Sequence, residues 1–237
     1  MKQFSAIAAT SIIGVTSFIS NSTAKASDAF WLDQYNALFY IGTFQLDNEL
    51  KEMKGRGSKT LILHADSLPS IISRFVAWRA KQAANMETIA WIQKPDKNNL
   101  RHAARLVGIK GVQIDDHYFN DPPISINELR AMLGKKQLWC SFQPRQFSHA
   151  IANSCDQNDV QIYRHTCKET GNIARNLGIT GNSKIAVAAY EDGSTEGIEL
   201  ISCIKRDLST LGTNVFVFKW KNQEVWTQRI TNALKRE

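Results

Sequence analysis

The chain of 237 residues lacks most of the signatures that settle a function early. Its four cysteines and five histidines form no Cys-x-x-Cys pair and no His-x-x-x-His spacing, which leaves out the common structural zinc sites. No G-x-G-x-x-G or P-loop spacing follows a strand-like run, so neither a dinucleotide nor a nucleoside triphosphate finds its usual phosphate cradle. Lys and Arg are scattered rather than gathered into a basic stripe interleaved with aromatics, and nucleic acid is not an expected partner. No Pro/Gly/Ser-rich tract divides the chain and its five prolines fall in loops, so one domain is the economical reading.

Long apolar runs are also missing, apart from Phe4–Ile19. Lys2 precedes that run and the small-x-small triplet Ala24-Lys25-Ala26 follows it, the form of a cleaved secretory signal covering residues 1–26. Ser, Thr and Gly interrupt it, so it falls short of the roughly 20 solidly apolar residues of a spanning helix. The expectation is a secreted or periplasmic protein, residues 27–237, with no stable membrane insertion after cleavage. Loss of Lys2 and Lys25 would leave 27 basic against 22 acidic side chains, lowering the formal net charge from +7 to +5. Cys140, Cys155, Cys167 and Cys203 are an even number in an exported chain; they allow three disulfide pairings, and buried free thiols are the alternative.

What is present is regularity. From Asp33 onward a strand-like run, a loop and an amphipathic run alternate, and eight strand-like runs can be counted: Leu38–Phe44, Thr60–Ala65, Thr88–Gln93, Gly111–Asp115, Gln137–Phe142, Val160–Tyr163, Lys184–Tyr190 and Asn214–Trp220. Each is short, β-branched or aromatic, and bounded by polar residues or Gly. Helical periods lie between them over 47–54, 68–85, 97–107, 125–133, 146–154, 170–177 and 195–211, with a closing one over 223–235. Ser125-Ile-Asn-Glu128 has the form of a capping box. Gly108, Gly134, Gly178 and Gly212 stand where helices should end. Eight strand–helix units in about 210 residues fit the short end of an α/β (β/α)₈ TIM barrel. The competing open doubly wound sheet usually has fewer strands and a Gly-rich first turn.

In such a barrel the site lies at the C-terminal ends of the strands. Those ends carry His64 and Asp66 after strand 2, and Asp115, Asp116 and His117 after strand 4. They carry Tyr163, Arg164 and His165 after strand 6, Tyr190, Glu191 and Asp192 after strand 7, and Trp220 after strand 8. Acids beside aromatics suit a sugar, whose ring faces stack on aromatics while carboxylates do acid–base work. The period of two points Gln113, Asp115 and His117 toward the barrel axis and Val112 and Ile114 toward the helices. Asp116 then points elsewhere and supports rather than pairs. Glycoside cleavage needs one neutral carboxyl group and one ionised one. The expected pair is Asp115 as nucleophile or oxocarbenium stabiliser and Glu191 as acid/base across the mouth, or the reverse. Arg164 and His165 are expected to bind substrate hydroxyls or keep Asp115 ionised, with His64, Asp66, His117, Tyr163, Tyr190 and Trp220 as further substrate contacts. Trp31, Trp78, Trp91 and Trp139 read as packing. No cofactor or metal is expected.

Three stretches carry a resemblance. "GVQIDDHYF" at 111–119, "VQIYRHT" at 160–166, and "IAVAAYEDGS" with "NVFVFKW" toward the C-terminus are similar to the exported, glycosyl-hydrolase-like barrels grouped with family-10-like enzymes. The resemblance implies a TIM barrel, a carbohydrate substrate, and cell-wall or exopolysaccharide glycans. A chitinase-type fourth strand would carry acids at Gln113 and His117, so chitinase-like chemistry is not expected. Brief βα loops leave a non-catalytic glycan-binding barrel as the alternative. A polysaccharide deacetylase, which also begins its site with paired aspartates, would need the absent His-x-x-x-His ligands.

Overall fold

The computed structural model describes residues 29–66, 68–182, 184–191 and 195–219. The expected signal, Asp192, Trp220 and the closing helical period lie outside the described residues. Eight parallel strands close into a barrel in sequence order, β1-β2-β3-β4-β5-β6-β7-β8. They are β1 (Ala29–Leu32), β2 (Thr60–His64), β3 (Glu87–Ile92), β4 (Gly111–Ile114), β5 (Gln137–Phe142), β6 (Gln157–Gln161), β7 (Ile185–Glu191) and β8 (Asn214–Lys219). The helices between them are α1 (Gln34–Gly42), α2 (Leu46–Gly55), α3 (Ser70–Ala84), α4 (Lys97–Arg105), α5 (Asp116–Asn120), α6 (Ile126–Leu133), α7 (His149–Ala152), α8 (Cys167–Asn176) and α9 (Thr195–Thr210). This is the (β/α)₈ TIM barrel.

The first strand is not where the sequence pattern put it. Leu38–Phe44 is largely α1, and β1 is the four-residue Ala29–Leu32. Asp33 decides this locally: its side chain caps α1 by accepting from the Tyr35 amide at 2.8 Å. Asn36, Ala37 and Tyr40 then bury one helical face, while Leu38 and Phe44 are exposed. Strand 6 begins three residues earlier than read, which brings Asp159 inside the sheet. Elsewhere the local signals hold. Ser125 and Glu128 form both halves of the capping box, and Gly108, Gly134, Gly178 and Gly212 all take positive φ.

Two apolar layers between sheet and helices form the core, with Leu61, Leu63 and Val187 in one and Val112, Ile114 and Phe142 in the other. The opposite strand faces fill the lumen with Trp31, Ile62, Trp91, Trp139, Phe216 and their neighbours. Gly111 is required by space: a Cβ there would stand 2.6 Å from the Gln137 carbonyl oxygen, so any side chain would push β4 off β5. Two disulfides close, Cys140–Cys155 and Cys167–Cys203, the second joining α8 to α9. Among the described residues no helix is long and apolar enough to cross a membrane.

Candidate active site

Alternation along the strands builds the site. Gln113 is buried inside the lumen, where its Oε1 accepts from the Trp31 indole at 3.1 Å and its Nε2 donates to Asp159 at 2.6 Å. Two residues on, Asp115 stands inward at the mouth, and β4 ends there because Asp115 caps α5 through the amide of Asp116. The inward reading of Asp115 therefore holds. His117 does not continue the alternation, since the chain has already turned into α5, and its side chain is largely exposed.

At this mouth lies a cavity of about 250 Å³, with Trp31, Trp91, Tyr163 and Phe218 as aromatic lining and Gln93, Asp115, Asp116, His117, Ser141 and Gln161 as polar lining. Asp115 and Asp116 are 5% exposed each. Carboxylate oxygens of the two and a ring nitrogen of His117 lie within 4.8 Å of one another. The expectation that Asp116 points away is thus corrected: the helical turn beginning at Asp116 folds its carboxylate back beside Asp115. Each acid is held by an amide. Gln161 Nε2 donates to Asp115 Oδ1 at 2.7 Å, and Gln143 Nε2 donates to Asp116 Oδ2.

Burial and neighbouring charge act on Asp115 and on Asp159 beneath it. Burial first, and the negative charge of Asp116 second, push the Asp115 carboxyl up to about 7, against the hydrogen bond from Gln161. Below it Asp159, fully buried, is raised well above the usual carboxylate range by burial, while Ser141 and Gln113 hydrogen-bond to it. Burial and the neighbouring acids Asp159, Asp115 and Asp116 also keep the Tyr163 hydroxyl protonated far into the alkaline range.

The remaining candidates fall elsewhere. Glu191, on the outward-facing alternation of β7, is 1% exposed and its two carboxylate oxygens accept from the Arg56 guanidinium. It does not line the cavity. Arg164, at φ 62, and His165 are exposed, and His165 lies 3.9 Å from Glu169. Neither appears among the groups acting on Asp115, which is driven toward protonation rather than kept ionised. Asp66 accepts from the amides of Gln93 and Lys94 and ties two strand ends together. His64 sits between carboxylates, Nδ1 3.1 Å from Asp33 and Nε2 3.4 Å from Asp66, with its ring 4.5 Å from that of Trp91. Tyr190 packs with Tyr163 and Phe218.

Sequence reasoning missed Asp159, Ser141, Phe218 and the roles of Trp31 and Trp91. A signal existed for Asp159: Gln157, Asp159 and Gln161 repeat the polar period of two seen in Gln113 and Asp115. Asp115, Asp116 and His117 are close enough to share a cation, yet they offer one histidine where the deacetylase ligand set needs two. A separate hollow on the outer surface, between Phe44, Phe75 and Trp78, has Asp47 and Arg79 bound to each other as its charged groups.

The fold and mouth together define a TIM barrel with paired carboxylates in an aromatic cup. No family model matches the sequence, and no curated protein matches it. Solved structures of similar fold include the glycoside hydrolase family 17 β-1,3-glucanosyltransferase of Rhizomucor miehei, 7% identical over 83% of this chain and 87% of that one with a TM-score of 0.58. Sph3 of Aspergillus clavatus in complex with GalNAc is 10% identical over 81% and 89%, TM-score 0.51. An N-acetylmannosamine-6-phosphate 2-epimerase of Clostridium perfringens is 10% identical over 89% and 94%, TM-score 0.52. At such identities, and across such different chemistries, the likeness is one of fold.

Proposed function

We propose that this chain is an exported glycoside hydrolase acting on a cell-wall or extracellular polysaccharide. Asp115 is the general acid and Asp116 the carboxylate that steadies positive charge developing at the anomeric carbon. The observation that carries the reading is Asp115 itself, a carboxyl group raised to about 7 beside a second carboxylate inside an aromatic-walled cup. A general acid works best with a pKa near the working pH, and a sugar ring finds apolar faces to stack on in Trp31, Trp91 and Phe218. Glu191, tied to Arg56, has no part in this assignment. The closed disulfides suit an oxidising compartment, as does the signal-like N-terminus.

The test is Asp115→Asn in the mature protein, assayed on a panel of soluble polysaccharides. Loss of about 10³-fold or more in turnover with the fold intact is expected. Undiminished turnover would overturn the assignment, and glycan binding without cleavage by the native protein would return the chain to the binding-only reading.

A further inference from the structure

Apolar residues also gather on the outer wall of the barrel. Phe44 is 93% exposed, Ile71 75%, Trp78 50% and Phe75 40%. Apolar residues scattered singly over a surface are ordinary, whereas a contiguous group marks a place of contact. Ile71, Phe75 and Trp78 follow one another at helical spacing along α3, and the rings of Phe75 and Trp78 lie 5.9 Å apart. Phe44 lines, together with Phe75 and Trp78, a hollow of about 210 Å³. The Arg79 guanidinium lies over the Trp78 ring, 5.0 Å from its centroid, and is bound to Asp47. Trp78 is thus held between two neighbours while half of it faces solvent.

Phe44 occupies a position that disfavours its residue type twice. α1 ends in a Schellman arrangement, in which the Gln45 amide donates to the Tyr40 carbonyl at 2.8 Å and the Phe44 amide to that of Ile41 at 3.2 Å. The residue at this turn takes the left-handed conformation, and Phe44 has φ 58. Glycine is the usual occupant because it has no Cβ to strain. Here a large apolar side chain stands in its place and projects into water. Backbone strain and exposed apolar area both work against the fold, and both are accounted for if the ring is used at an interface.

Charge identifies the partner. α3 carries Arg74, Arg79 and Lys81 and no acid over Ser70–Ala84, and α4, the next helix around the barrel, has no acid over Lys97–Arg105. Arg74, Lys81, Arg101 and Arg105 are exposed. The acids of the adjoining α2 are engaged: Asp47 pairs with Arg79, while Glu49 and Glu52 act on Arg56. An aromatic patch flanked by positive charge matches an anionic bilayer surface, where rings enter the headgroup boundary and cations meet lipid phosphates. A second copy of this chain fits less well, since a two-fold contact centred on α3 would set its cations against their own copies. A glycan also fits less well, because Ile71 offers sugar hydroxyls no partner and Asp47 and Arg79 already pair with each other.

We infer that the face formed by Phe44, Ile71, Phe75 and Trp78 is a peripheral docking surface for an anionic membrane. The attachment is reversible, made by side chains rather than by a spanning segment, and it holds the barrel by its side wall instead of its mouth. It is independent of the chemistry assigned to Asp115.

The experiment uses the mature chain, residues 27–237, in co-sedimentation with phosphatidylcholine vesicles with and without phosphatidylglycerol. Binding to the anionic vesicles is expected, with little to phosphatidylcholine alone and progressive loss as salt screens the cations. Phe44→Gly should weaken partition about 10-fold or more. Because glycine suits φ 58 and the ring removed is exposed, that variant should keep the native unfolding temperature, which separates lost docking from lost folding. Trp78→Ser should weaken partition to a similar degree. Arg74→Gln and Lys81→Gln should each weaken it about 5-fold, and only on the anionic vesicles. No binding to either vesicle, binding indifferent to phosphatidylglycerol, or binding that Phe44→Gly leaves unchanged would overturn the inference. So would a dimer, or retention on insoluble polysaccharide, that Phe44→Gly abolishes while vesicle binding is absent. The hydrolase reading stands or falls separately, on Asp115→Asn with soluble polysaccharides.

Discussion

The side-chain amide of Gln161 on β6 reaches past β5 to donate to Asp115 Oδ1 at 2.7 Å, and on its way lies 2.9 Å from the Ser141 hydroxyl. A donor to a carboxylate favours the charged form, so this bond restrains an acid that burial pushes toward neutrality. Gln161→Leu should raise the Asp115 pKa further. A general acid must be protonated to act, and activity is lost as pH rises through its pKa. The alkaline limb of the kcat/KM profile should therefore move to higher pH, by about 0.5–1 unit. A limb fixed at its native position would show that Gln161 does not tune the acid.

The same physics makes the acid a liability to the fold. Between its ordinary range near 4 and its folded value of about 7, folded Asp115 keeps a proton that the unfolded chain has released. Stability contributed at this position thus falls as pH rises through that window and stays low above it. Asp115→Asn should be more stable than the native protein at pH 8, on the order of 1–3 kcal/mol, with the difference closing toward pH 4. Urea unfolding at the two pH values measures it. A variant less stable at pH 8 would contradict the buried-charge account.

At His64 stability likewise falls as pH rises, but here the form the fold favours is the charged one. Burial works against its charge, but Asp33 and Asp66 outweigh burial and carry its pKa from 6.5 up to about 9. The stabilisation is complete below about 6.5 and is lost as pH rises through about 9. Replacing His64 with Asn should cost roughly 2 kcal/mol more at pH 6 than at pH 9.5. Equal costs at both values, by thermal or denaturant unfolding, would mean that His64 is held by packing on Trp91 alone.

The disulfides should differ in accessibility. Cys140 is fully buried and Cys155 nearly so, whereas Cys167 and Cys203 are partly exposed. Mild reductant should open Cys167–Cys203 first, as thiol labelling and peptide mapping would reveal. Loop separations of 15 and 36 residues correspond to about 3 and 4 kcal/mol of stabilisation in the chain-entropy picture. Ala pairs replacing each disulfide test those magnitudes.

How far the sequence could be read depends on whether a local rule or the closed barrel decides a residue's place. Gln137–Phe142 is legible as a strand because its composition and borders agree, and Ser125 announces α6 through its own cap. Asp115 is legible because alternation is a local rule. Leu38–Phe44 misleads because its aromatics mimic a strand while the cap at Asp33, just before it, starts a helix. Asp159 is hidden because a polar run such as Gln157–Gln161 looks like a loop unless the lumen is known to be polar there. Glu191 sits on the outward alternation of β7, and the sequence carries no sign that Arg56, 135 residues away, takes its charge. The pairing of Asp115 with Asp116 depends on the chain turning into α5 at that step.

Among the described residues β1 meets β8 at two register pairs, Ala29↔Phe216 and Phe30↔Val217, whereas β7 and β8 share six. One position beyond that seam, Trp31 holds Gln113, which in turn holds Asp159 beneath the acids. A transient parting of the seam would draw the indole away and admit water under Asp115, relaxing the burial that raises its pKa. The acid's readiness is therefore tied to how long the ring of strands stays closed, and amide exchange at Phe30 and Val217 would clock it.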